Sequence, residues 1–326
     1  MRFALMLEPQ QGLTYDDQLA AARLAEDLGF EAFFRSDHYE TFPGDGDGPA
    51  TDAWTVLAGL ARDTTRIRLG TLVSPVTFRH PGNLVKIVTT VDHMSGGRIE
   101  IGVGAGWNDE DHTRLGLPFP PIEQRADLLE DELAILHGLL TEDDGWSYDG
   151  KHLTVRDARL RPRGVEVEGR PVEHGRARPR ILTGGDGSPR GLRIAARWAD
   201  EFNLTSSSPE RTAEKMAALD EACRAIGREP AALTRSAMVG VLVGRDAASL
   251  KARTQAMLRT FAQPDANADE WLAGRRARWI VGLPDEARAM VRRYADAGVE
   301  RIMLQDFLPT DHGMLEDLGR ELLGQV

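Results

Sequence analysis

Four short segments hold the residues that could do chemistry. The first, Arg35-Ser36-Asp37-His38-Tyr39, sets a histidine directly after a carboxylate. An imidazole titrates near neutrality and can donate or accept a proton. The same spacing also suits a histidine tied into structure by Asp37. The second is Val73-Ser74-Pro75-Val76-Thr77-Phe78-Arg79-His80. The third, Gly104-Ala105-Gly106-Trp107-Asn108-Asp109, resembles half a dinucleotide-binding turn but fails its test. That turn needs Gly-x-Gly-x-x-Gly running into a helix. Here Gly102, Gly104 and Gly106 recur every second residue, and Trp107-Asn108-Asp109 continues as loop. Small residues here keep space open, for a barrel mouth or for a ligand ring lying on the backbone. The fourth, Gly184-Gly185-Asp186-Gly187-Ser188-Pro189, is a glycine-rich turn that opens a helix at Pro189. Free backbone N–H groups and the positive helix end suit a phosphate, although such turns also occur without ligands.

Other chemistries find no support. The sequence holds no Gly-x-x-x-x-Gly-Lys-Ser/Thr for a nucleoside triphosphate and no Gly-x-Ser-x-Gly elbow for a hydrolase. The histidines are scattered, with no His-x-x-x-His pair, so no metal site is expected. A single cysteine, Cys223, excludes an intramolecular disulfide and any cysteine cage, and its helical context reads as a small buried residue. With 51 acidic against 40 basic residues the net charge is −11, which disfavours a nucleic-acid partner. The apolar run Met1–Leu7 is too short for a secretory signal, and no stretch approaches the ~18 apolar residues of a membrane span. The expectation is a cytoplasmic protein with no membrane partner.

The elements that must position these segments alternate regularly. Strands are expected at 2–7, 30–34, 67–73, 99–104, 180–183, 202–204, 236–243 and 301–304. Helices are expected at 16–28, from a Thr51 or Asp52 cap, from Pro81 to Gly96-Gly97, and at 122–140, 189–199, 209–227, 246–261, 284–297 and 311–324. Eight strand–helix units predict an α/β fold, a closed (β/α)8 barrel, as a single domain over 1–326. A doubly wound open sheet is the alternative. A Gly/Asp/Pro loop covers 43–50. Residues 143–179, rich in arginine, glycine and proline, interrupt the rhythm between the fourth helix and the fifth strand. They read either as a solvated hairpin and loop or as a lid over the barrel mouth. Each of the four segments follows a strand, which in a barrel is the active-site end.

Together these segments resemble the bacterial luciferase-like superfamily of flavin- and deazaflavin-dependent enzymes. The resemblance rests on Ser36-Asp37-His38, Leu69-Gly70-Thr71-Leu72-Val73-Ser74-Pro75 and Arg79-His80-Pro81. It extends through Asp92-His93-Met94-Ser95-Gly96-Gly97-Arg98 and Gly102-Val103-Gly104-Ala105-Gly106-Trp107-Asn108, and covers nearly the whole chain. It is nearest to the oxidoreductases assigned to coenzyme F420. It implies a cofactor ring at the barrel mouth, with His38 beside it handling a proton and Asp37 holding the site. It also implies a cis non-prolyl Leu72–Val73 bond behind the ring, next to Thr71, with Gly104, Ala105, Gly106, Trp107 and Asn108 along the site. Gly184, Gly185 and Ser188 would receive the cofactor phosphate, and relatives are usually homodimers. The family's sugar-phosphate dehydrogenases carry a catalytic glutamate after the strand-four Gly-x-Gly. Here that position is Trp107, which would wall the substrate pocket instead. The implied activity is F420-dependent hydride transfer to or from a small organic substrate. The rivals are a monooxygenase using reduced FMN and oxygen, fed by a separate flavin reductase, and a cofactor-binding protein with little turnover.

Overall fold

A computed structural model of the chain describes residues 1–42 and 48–325, so part of the 43–50 loop lies outside the described residues. Eight parallel strands close on themselves. They are β1 (Arg2–Leu7), β2 (Ala32–Arg35), β3 (Arg68–Thr71), β4 (Ile99–Gly104), β5 (Arg180–Gly185), β6 (Glu201–Leu204), β7 (Thr234–Val243) and β8 (Arg301–Asp306). Each pairs with its sequence neighbours, and β1 closes the ring on β8 with Arg2 opposite Arg301 and Leu7 opposite Asp306. Helices α1 (Tyr15–Leu28), α2 (Ala53–Asp63), α3 (Pro81–Ser95), α4 (Ile122–Thr141), α5 (Pro189–Trp198), α6 (Pro209–Ala225), α7 (Pro284–Asp296) and α8 (His312–Leu322) surround it. Their starts follow local chemistry. Asp52, Ser188 and Asp311 each accept a backbone N–H from the first turn, and prolines open α3, α5, α6 and α7.

Strand alternation divides the core in two. Phe3, Leu5 and Leu7, with Phe33, Leu69, Ile101, Ile181 and Ile302, pack outward against the helices. Ala4, Met6, Ala32, Phe34, Leu72, Leu182 and Met303 fill the barrel. The N-terminal end is plugged by a buried ion cluster. Arg301 Nη2 lies 2.7 Å from Glu100 Oε2 and 2.8 Å from Glu201 Oε2, and Arg68 Nε lies 2.6 Å from Glu100 Oε1. The C-terminal end is the mouth. Among the described residues no helix is long and apolar enough to cross a membrane.

Two long segments lie outside the alternation of barrel strands and helices. Of the two readings of 143–179, the hairpin forms. This hairpin, Trp146–Asp149 with Thr154–Ala158, lies along α4, where Tyr148 Oη and the Lys151 and His152 N–H groups donate to Asp131. The stretch after it runs to the far end of α3. There Val165 N and Arg170 Nη1 donate to Asp92 Oδ2 at 2.9 and 2.8 Å. That helix end leads into the start of β4, so this stretch lies at the end of the barrel opposite the mouth. The second segment, 244–279, sits at the mouth end of β7. The helix expected at 246–261 forms as Ala247–Thr260, but it is not a barrel helix. Its Arg253 donates to the Val243 carbonyl at the top of β7 and pairs with Asp311 at the cap of α8. A short helix, Ala268–Ala273, and a strand, Ile280–Gly282 beside Val241–Val243, complete an excursion that the sequence reading missed. Trp279 lies on the bare backbone of Gly240 and stacks on Phe307 at 5.5 Å.

Candidate functional site

His38 lies just beyond β2, its side chain 13% exposed, and its partner is not Asp37. Nδ1 donates to Asp111 Oδ2 at 2.5 Å, and the same carboxylate accepts Tyr39 N and Glu40 N, each at 2.8 Å. Asp111 belongs to the short helix Glu110–Thr113 after β4. The next residue, His112, clamps that helix. Its Nδ1 donates to Asn108 O at 2.7 Å, and its Nε2 accepts from the Thr77 hydroxyl at 2.6 Å. Burial pushes the Asp111 carboxyl up. The His38 bond and the two N–H donors outweigh burial and hold it below the usual carboxylate range. With Nδ1 engaged, Nε2 is the ring nitrogen left for a ligand. Phe42 and Trp107 meet the imidazole edge-on, at centroid distances of 4.6 and 5.6 Å. Trp107 is 68% exposed and forms the rim.

Asp37, expected to act beside His38, is fully buried behind the site. Its Oδ2 accepts from Arg79 Nη1 at 2.6 Å and from the Ser74 hydroxyl at 2.7 Å. Arg79 also pairs with Asp52, and Ser74 accepts from Trp54 Nε1 at 3.0 Å. No oxygen of Asp37 is open to a ligand. It is therefore a positioning residue that ties the His38 strand end to the Ser74 turn.

The floor is made of backbone. The Leu72–Val73 bond is cis. A Cβ on Gly102 would lie 1.9 Å from the Thr71 carbonyl oxygen, and one on Gly104 2.6 Å from Val73 Cγ2. The glycines of β4 thus exist to let this turn press against the strand. Thr71 is buried, its hydroxyl donating to Gly102 O at 2.9 Å, so it supports the floor from behind. Val73 is partly exposed at the mouth beside Gly184, while a Cβ on Gly185 would meet nothing within 4 Å. Open glycine backbone around Val73 fits a flat ring. Ser188 caps α5, and its own N–H donates to Asp186 Oδ1 at 3.0 Å, so Asp186 already occupies part of the expected phosphate turn. Lys215 Nζ donates to Gly187 O at 2.9 Å and brings a cation to that turn.

The sequence reading missed a second polar group. Glu8, at the top of β1, continues the inward series of Ala4 and Met6. It accepts Gln305 Nε2 at 2.5 Å and Gln10 Nε2 at 2.8 Å, and the Ser36 hydroxyl donates to Gln10 Oε1 at 2.6 Å. The available signal was parity, since a carboxylate two residues beyond an interior methionine must face the barrel.

A family model described as luciferase-like monooxygenase matches residues 1–305. The chain belongs to that family. An F420-dependent glucose-6-phosphate dehydrogenase from Microbacterium testaceum is 29% identical over 320 residues, 93% of this chain and 91% of the relative. One of the same name from Beutenbergia cavernae is 28% identical, covering 95% and 93%. An F420-dependent secondary alcohol dehydrogenase, solved with an F420–acetone adduct, superposes with a TM-score of 0.81 at 17% identity, covering 99% of this chain and 98% of that one. A coenzyme F420-dependent tetrahydromethanopterin reductase from Methanopyrus kandleri gives 0.78 at 20% identity, with coverage of 99% and 98%. A monooxygenase from Streptomyces bottropensis gives 0.75 at 21%, with 99% of each chain covered. At these identities the solved structures share the fold. In this luciferase-like chain the fold gathers His38, Val73, Gly104, Trp107, Gly184 and Gly185 at the mouth. Asp37 and Thr71 stand behind it. Ala105 and Asn108 hold the rim loop through Arg125 Nε to Ala105 O at 3.1 Å and Glu110 N to Asn108 Oδ1 at 3.1 Å.

Proposed function

We propose that this oxidoreductase moves a hydride between coenzyme F420 and a small organic substrate. The observation that carries the reading is the His38–Asp111 pair standing beside an open glycine floor built around Val73. The cofactor's identity is taken from the relatives' names. When bound, the deazaflavin supplies the two-electron hydride chemistry. Val73, Gly104, Gly184 and Gly185 would hold its ring, and Ser188 with Lys215 its phosphate, Asp186 turning aside. His38 holds or takes up the accompanying proton at Nε2. Asp111 fixes the tautomer by keeping the proton on Nδ1 and stabilises the imidazolium. Phe42 and Trp107 keep water off the imidazole. A homodimer that needs no reductase partner belongs to the same proposal, and light scattering checks its mass.

Fluorescence titration with F420 and with FMN tests the reading. F420 is expected to bind at least tenfold tighter, a difference of ~1.4 kcal/mol. Tighter FMN binding, with oxygen consumed on adding reduced FMN, would establish the monooxygenase instead. Binding of F420 without single-turnover reduction or oxidation would leave a cofactor-binding protein.

A further inference from the structure

We propose that Glu8 selects the substrate. Its carboxylate accepts a hydrogen bond from a hydroxyl or amine next to the reacting carbon, so the pocket admits neutral or cationic donors and turns away phosphates and carboxylates. This rests on the hydride-transfer reading for the identity of the reaction, but not for the selection itself.

Three features carry it. First, Glu8 sits on the inward face at the mouth end of β1, 7% exposed, above Met6, bonded to Gln305 of β8 and linked through Gln10 to Ser36, which follows β2. Ser36 is two residues before His38, so one network runs from the carboxylate to the strand that presents the imidazole. Second, both donors that reach Glu8 are neutral amides, and among the described residues no lysine or arginine forms an ion pair with it. The buried cation of the adjacent strand, Arg35, faces outward and spends its guanidinium on Gln18, Thr51 and the Ser36 carbonyl. Third, each Glu8 oxygen accepts a single amide N–H, and a carboxylate oxygen has room for a further donor. A buried carboxylate with unused acceptors and no lysine or arginine in direct contact is costly to leave so. A bound donor relieves that cost, whereas a second anion adds to it. Beyond this polar network, Val73 and Met238 pack on the barrel interior, and Phe42 meets Trp107 edge-on beside His38. The substrate is therefore an apolar body carrying one hydroxyl or amine, unlike the sugar phosphate in the relatives' names.

The test uses three molecules of one skeleton, 1-amino-2-propanol, 1,2-propanediol and lactate. They are titrated into the cofactor-free protein at 0.15 M salt by ligand-observed NMR, which screens long-range attraction. The amine and the diol are expected to bind at least tenfold tighter than lactate. In Glu8→Gln the three should fall within threefold of one another, with F420 affinity unchanged. Equal affinities in the wild type, absent binding of all three included, overturn the proposal. So does an order that survives in Glu8→Gln. If that variant fails to fold, the wild-type order alone decides. Failure of F420 to bind would sink the functional reading and leave this measurement standing.

Discussion

A proton handled at Nε2 of His38 needs one tautomer, and the residue that sets it was hidden from the sequence. Asp37 is adjacent in the chain, but neighbours on extended backbone point to opposite sides. An adjacent carboxylate at a strand end therefore turns away from its histidine, here toward Arg79 and Ser74. The real partner, Asp111, lies 73 residues further on, and nothing in local spacing announces it. His38→Ala is expected to lower single-turnover hydride transfer by ~10²–10⁴-fold, the usual worth of a general acid–base group. F420 affinity and melting temperature should stay near wild type. Asp111→Asn preserves shape but removes the charge that supports the imidazolium, so it should slow the same step by about tenfold or more. Single-turnover rates of both variants check this, and normal turnover in a folded His38→Ala would remove the residue from the mechanism.

At the scale of elements the barrel was legible because its strands and helices carry clean periods of 2 and 3.6. Glycines and prolines mark their ends, as at Gly29, Gly96 and Pro81. What periodicity cannot tell is where a helix goes. Residues 247–260 have the amphipathic pattern of a barrel helix, yet Arg253 pins them to the mouth at Val243 and Asp311. Likewise the composition of 143–179 left a hairpin and a lid equally open, because it does not say which carboxylates and carbonyls along α4 and below α3 its arginines bond. The glycines of the floor do different jobs that substitution separates. Gly102→Ala drives a methyl into the Thr71 carbonyl and must displace the Leu72–Val73 turn, so both melting temperature and F420 affinity should fall. Gly185→Ala adds a methyl to open space at the mouth. Melting temperature should hold while F420 affinity drops by about tenfold, or ~1.4 kcal/mol. Unchanged affinity in Gly185→Ala would take the strand-five turn out of the cofactor site.

The whole molecule carries buried charge that makes its stability depend on pH in both directions. Glu132, on α4, is buried with neither carboxyl oxygen bonded among the described residues, and burial pushes it up to about 8. Burial likewise raises Asp306, at the end of β8, to about 7, against an opposing Leu308 N–H. Groups raised in the fold bind their proton more tightly folded than unfolded. Their contribution is complete below the unfolded values of 4.5 and 3.8 and is lost as pH climbs through about 7 and 8. Other carboxylates act oppositely. Glu173 is held down to about 2 by the His137 hydrogen bond. Glu26, despite partial burial, is held there by the N–H groups of Ile67, Arg66 and Thr65. Their stabilisation is complete above the unfolded value of 4.5 and fades as pH falls toward 2. The two trends cross, so stability should peak near pH 5 and decline toward both pH 3 and pH 8. Glu132 dominates the alkaline side, since ionising it places a charge in the buried helix interface that the Arg79 guanidinium only partly offsets. Replacing it with an apolar side chain of similar length removes the charge without opening a cavity. Urea denaturation of wild type and Glu132→Met at pH 5, 6.5 and 8 should then show a small difference at the first pH and a growing gain for the variant at the others. Parallel pH profiles for the two proteins would mean that Glu132 stays ionised and partnered throughout.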